Sequence, residues 1–105
     1  MHRETRTVSR KTAFDGKLEI SATAAERIES LGAVIPVRIE VPRGAAPVDD
    51  FASLATMECT CAKSGVAGAH VHTFLACDRF RALPALTAVS IEVDHTRIYL
   101  RESDG

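Results

Sequence analysis

Two cysteines and two histidines, each pair spaced by a single residue, flank a stretch of small residues: Cys59-Thr-Cys61, then Ala62-Lys-Ser-Gly-Val-Ala-Gly-Ala69, then His70-Val-His72. A spacing of two puts like side chains on one face only in an extended strand, where successive side chains alternate. The small-residue stretch supplies a place for the chain to reverse. The pattern therefore predicts a β-hairpin with strands over Leu54–Cys61 and Ala69–Cys77. Symmetric pairing sets Cys61 opposite His70 and Cys59 opposite His72, with all four side chains on one face. Directly opposed residues lie about 4.5–5.5 Å apart, and next-but-one residues along a strand roughly 6.5–7 Å apart. Two thiolates and two imidazoles within that patch suit a tetrahedral metal, and zinc is the default for an S₂N₂ set.

The same register predicts Met57 opposite Phe74 and Ala55 opposite Ala76, an apolar floor below the four ligands. The reverse face would carry Leu54, Thr56, Glu58 and Thr60 against Val71, Thr73, Leu75 and Cys77. Cys77 then faces away from the site and reads as a core thiol. The competing reading is plain packing, with the thiols as small hydrophobes and the histidines hydrogen-bonded near a loop. A slip of one residue would separate the two pairs onto opposite faces.

The remaining chain supports a small folded unit. Its 105 residues allow one domain with a modest core, and 46% hydrophobic content argues against wholesale disorder. With no Trp and one Tyr, that core must be mostly aliphatic. A net charge of −1 provides no global field for nucleic acid or anionic lipid. The first residues lack a signal-peptide apolar region, and no apolar run reaches the roughly 20 residues that span a bilayer. Three cysteines, an odd number, suit a reducing compartment, here read as cytoplasmic.

Thr23-Ala-Ala-Glu26 is a capping-box pattern, with Ser21 as the alternative cap. Ala24, Ile28 and Leu31 share one helical face, and Gly32 provides a stop. Val34–Val41 alternates as a strand, with Pro36 at an edge or near its start. Pro42–Asp50 reads as a loop, and Asp78 as the cap of a turn over Arg79–Leu83, with Phe80 and Leu83 as core anchors. Thr87–Val93 and Arg97–Arg101 read as further strands, joined by a turn at Asp94-His95-Thr96. Thr5–Phe14 alternates weakly, as an edge strand closed by Asp15-Gly16. The expected fold is α+β: a mainly antiparallel sheet of about five or six short strands, curled or a small barrel, with one helix and a short helical turn. It forms a single domain over 1–105, with a flexible basic arm at 1–11 and a frayed tail at 102–105.

The chain carries two partial likenesses to known families. His70-Val-His72 is similar to the first metal motif of cupin barrels, but Thr73–Cys77 supplies no glutamate and no second histidine motif follows. Leu18–Ile28 with Val37–Val41 resembles the opening of A-type iron–sulfur carriers, but the cysteines of that family have no counterparts here. Neither function is carried across.

The functional expectation is a small intracellular interaction or accessory module whose structural zinc is held by Cys59, Cys61, His70 and His72. Four protein ligands leave no open position for substrate. The alternatives are a small metalloenzyme with an open site and a metal-free binding module. A protein partner is expected, and the basic arm offers weaker support for nucleic acid. Oligomeric state is left open.

Overall fold

The computed structural model describes residues 1–59 and 70–103. Within these, seven strands form one mixed sheet: β1 (His2–Thr7), β2 (Lys17–Ile20), β3 (Ile35–Glu40), β4 (Val48–Cys59), β5 (His70–Ala76), β6 (Ala88–Val93) and β7 (Ile98–Glu102). Two α-helical segments, α1 (Thr12–Asp15) and α2 (Ala22–Glu29), and a 3₁₀ turn at Asp78–Ala82 complete the set. The strand order is β1-β6-β7-β3-β4-β5-β2. All ladders are antiparallel except β3–β7, which is parallel, with Val37 opposite Ile98 and Ile39 opposite Leu100.

The α+β expectation of about five or six strands is therefore corrected. The chain is a roughly all-β fold, a seven-stranded, nearly closed barrel with one parallel pair and short helices. The strand count rises because β1 carries little hydrophobic signal and β2 is short. No residue of β1 is buried, since its six positions alternate between half-buried and exposed. β2 is only four residues long. Thr5–Phe14 is not a strand: β1 ends at Thr7, and Thr12–Asp15 is helical. His2–Thr7, within the segment read as a basic arm, is paired along its whole length with β6, from His2 opposite Val93 to Thr7 opposite Ala88.

The core is aliphatic, as a Trp-free composition requires. Ile35, Val37 and Ile39 of β3 alternate with partly exposed neighbours. They meet Val89, Ile91 and Val93 of β6, Ile98 and Leu100 of β7, Leu18 and Ile20 of β2, and Leu75 of β5. The helix α2 contributes Ala24 and Ile28, both fully buried, and packs against β1, β4, β5 and β6. It thus touches both halves of the sheet and fills the space between them. Burying a side chain such as Ile28 stabilises the fold by about 1.5–3 kcal/mol.

Local chemistry explains the element ends. Ser21, not Thr23, caps α2: its Oγ accepts from the Ala24 amide at 3.1 Å. Gly16 ends α1 at φ 66°, and a Cβ there would lie 2.7 Å from the Cys77 carbonyl oxygen. The Gly16 carbonyl accepts from the Cys77 amide at 2.9 Å, which ties the start of β2 to the end of β5. Pro36 lies near the start of β3, before the β7 pairing begins at Val37, so its missing amide breaks no bond to β7. Asp78 does not cap its turn. The cap position belongs to Cys77 and no side chain fills it, while Phe80 and Leu83 are buried. No helix among the described residues is long and apolar enough to cross a membrane.

Candidate metal centre and the groove beside it

β4 and β5 form the predicted hairpin, but in a register shifted by two residues. Cys59 stands opposite His70, Met57 opposite His72, Ala55 opposite Phe74 and Ser53 opposite Ala76. The expected pairs Cys61–His70, Cys59–His72, Met57–Phe74 and Ala55–Ala76 are thereby corrected. A shift of two preserves the parity that a shift of one would have destroyed. In the observed register Cys59 and His70 are opposed to each other, at the position of the same parity next to Met57 and His72. Cys61 lies outside the described residues, as do the side chains of Cys59 and His70.

The apolar side of the hairpin is also the reverse of the expected one. Leu75 is fully buried and Leu54 packs against the core, so that face lines the barrel interior. Met57 and His72 belong to the outer face, where Met57 is 49% exposed. Any ion held there would sit on the barrel surface near the hairpin's loop end. Cys77 is a buried free thiol, and burial pushes its pKa up, which suits a core residue and not a nucleophile.

His72 is oriented by a residue that local sequence reasoning missed. Its Nδ1 lies 2.7 Å from Glu19 Oε2, and its ring centroid lies 6.4 Å from that of Phe74. Glu19 is opposite Phe74 in the β2–β5 ladder, so it reaches His72 diagonally. The only hint in the sequence is the polar position between Leu18 and Ile20, which marks an outward side chain but not its partner. Glu58, the carboxylate nearest the cysteines in sequence, stands opposite Val71 in the β4–β5 ladder.

Beside this pair runs a groove of about 380 Å³ on the outer surface. Met57, His72 and Phe74 form one side, and Lys17 and Glu19 of β2 continue it. The connection from β1 to α1 forms the opposite wall through Thr7, Ser9, Lys11, Thr12 and Asp15. That wall is fixed: Thr12 is buried and its hydroxyl donates to the Lys17 carbonyl at 2.9 Å. Among the described residues, no group of three His, Cys, Asp or Glu side chains converges as a metal cage. His95 lies apart, exposed in the β6–β7 turn.

Two arginines of the N-terminal segment, Arg3 and Arg6, are engaged within the fold. Arg3 Nε donates to Ser90 Oγ at 3.2 Å, and Arg6 Nε to Glu4 Oε2 at 3.3 Å. On the outer face of the sheet, Arg101 bridges Glu40 and Glu92 at 2.7 and 2.5 Å, and these carboxylates hold its pKa up. This is a surface ladder across β3, β7 and β6, and it sits away from the groove.

Comparison with known proteins returns no family: no family model, no curated protein and no solved structure matches the chain. The functional reading accordingly rests on the geometry above.

Proposed function

We propose that this chain is a small metal-binding module, with a structural zinc held at the loop end of the β4–β5 hairpin by Cys59, Cys61, His70 and His72. The observation that carries the reading is the Glu19–His72 hydrogen bond at 2.7 Å. A histidine that ligates a metal commonly gives its other ring nitrogen to a carboxylate, which sets the tautomer and raises ligand basicity. With Nδ1 turned to Glu19, Nε2 is the nitrogen of His72 that would meet the metal. The opposition of Cys59 and His70 one step further along adds sulfur and nitrogen donors at the neighbouring position. Cys61 enters from its sequence spacing.

Four protein donors complete a tetrahedral shell, so the ion would hold the hairpin end rather than activate water. The Glu19 carboxylate is already directed at the imidazole, a supporting role unlike that of a general base. Thiolate ligands call for a reducing compartment, which we take to be the cytoplasm. The stiffened hairpin end would present its loop to a protein partner.

Elemental analysis of protein purified without added metal tests the reading. Near-stoichiometric zinc, lost in both Cys59→Ser and His72→Ala, is the expected result. Zinc retained in both variants, or absent from reduced wild-type protein even after zinc addition, overturns it.

A further inference from the structure

We infer that the groove between the β1–α1 connection and the outer face of β5 is a binding site for a small anionic molecule with a flat apolar body. This goes beyond the zinc reading and stands with or without a metal on the hairpin. Three observations carry it. First, the cavity has about 380 Å³ of space, within the range of roughly 300–1,000 Å³ typical of small-ligand sites. Second, its floor is apolar but incompletely covered: Phe74 is partly exposed and Met57 is 49% exposed, diagonal to each other on neighbouring strands. An aromatic ring and a thioether are a good surface for a flat ring system.

Third, the charges around that floor are unevenly satisfied. The two acids are engaged: Glu19 with His72, and Asp15 Oδ1 with the Lys17 amide at 2.9 Å. The ammonium groups of Lys11 and Lys17 have no ion-pair partner among the described residues. One lysine comes from each wall, and with Asp15 and Glu19 already hydrogen-bonded a carboxylate or similar anion entering the groove has two ammonium groups to pair with. A neutral ring gains only the floor. A compact anion gains only surface lysines, which are worth little singly in water. The site selects molecules that carry both features.

The test uses 2-naphthoate as the probe and 2-naphthalenemethanol as its uncharged counterpart. Binding is followed by the methyl signals of the two methionines. Met57 lines the groove, while Met1 lies on a different surface and serves as the internal control. The expected result is a saturable shift of the Met57 methyl with naphthoate, a still Met1 methyl, and at least tenfold weaker binding of the alcohol. The double variant Lys11→Gln/Lys17→Gln should weaken naphthoate about tenfold while leaving the alcohol unchanged. Phe74→Ala should weaken both probes. The proposal is overturned if the Met57 signal does not move, if alcohol and acid bind alike, or if the lysine variant binds naphthoate as the wild type does. Far-ultraviolet circular dichroism of each variant separates lost binding from lost folding.

Discussion

The Glu4 carboxylate of β1 accepts hydrogen bonds from both the amide and the hydroxyl of Ser21, seventeen residues away at the start of α2, the amide at 3.0 Å. Strands β1 and β2 stand at the two ends of the sheet order, so this contact spans the seam of the barrel. A side chain does here what a backbone ladder does elsewhere around the sheet. Ser21 is used twice, because its Oγ also accepts from the Ala24 amide as the α2 cap. His2 Nε2 and Arg6 Nε add to the same carboxylate at 2.7 and 3.3 Å. The seam and the helix start are one hydrogen-bonded unit.

That unit should be measurable by a double-mutant cycle. Glu4→Gln is expected to destabilise the fold by about 1–2 kcal/mol, since bonds to a charged acceptor are stronger than neutral ones. Ser21→Ala should cost at least the ~1 kcal/mol of a lost helix cap. Because both remove the same contact, the double variant should lose less than the sum, by about 0.5 kcal/mol or more. Urea unfolding of the four proteins checks this. Strict additivity would mean that the seam contact contributes nothing.

Acid should open the same seam. Desolvation pushes the Glu4 carboxyl up, but hydrogen bonds from Ser21 and His2 and the charge of Arg6 outweigh it, and the net shift is below the ordinary 4.5. A carboxylate whose folded pKa is depressed binds fewer protons folded than unfolded in that range. Its contribution is thus fully present above about 4.5 and is lost as pH falls through the folded value. Thermal melts between pH 7 and pH 3 should show the wild type losing stability more steeply below pH 5 than Glu4→Gln. Parallel curves would remove Glu4 from the acid response.

Glu19→Gln separates metal binding from folding. The Glu19–His72 pair is partly solvated, so its loss should change global stability by less than about 1 kcal/mol. Loss of the carboxylate behind a ligating histidine typically weakens metal binding by about 10–100-fold. Zinc titration against a competing chelator, beside a metal-free melt, checks both halves. Unchanged zinc affinity would show that Glu19 does not support a ligand.

Three substitutions probe how the barrel is filled and turned. Ile28→Ala removes a fully buried side chain from the α2 face and should cost about 2–5 kcal/mol. Gly16→Ala forces a side chain onto a left-handed residue and within 2.7 Å of the Cys77 carbonyl, so it should destabilise by more than ~1 kcal/mol. Phe14→Ala, two residues before Gly16, should be nearly silent, because Phe14 is 81% exposed. Chemical denaturation of the three proteins tests the ranking.

How far the fold could be read from residues depended on whether a segment hides an apolar face. Strands β3, β6 and β7 alternate clearly, and Ile35, Val37, Ile39, Val89, Ile91, Val93, Ile98 and Leu100 are all buried. β1 offered no such pattern, because its partner β6 supplies the buried residues of that edge. At the site, the hairpin and its parity were readable, but the slide of two residues was not. Alternation constrains pairing only to odd or even, and either even register buries the same face of β4 and β5.

Strand alternation, the α2 apolar face and the common face shared by Met57 and His72 are local properties, written in residues a few positions apart. The parallel β3–β7 pairing, the Glu4–Ser21 seam, the Glu19–His72 contact and the groove bring together residues far apart in the chain. Glu19 and His72 are separated by 53 positions, and no periodicity carries that far. Their meeting follows from how the strands order themselves around a shared core, a choice made by burial and pairing across the whole barrel.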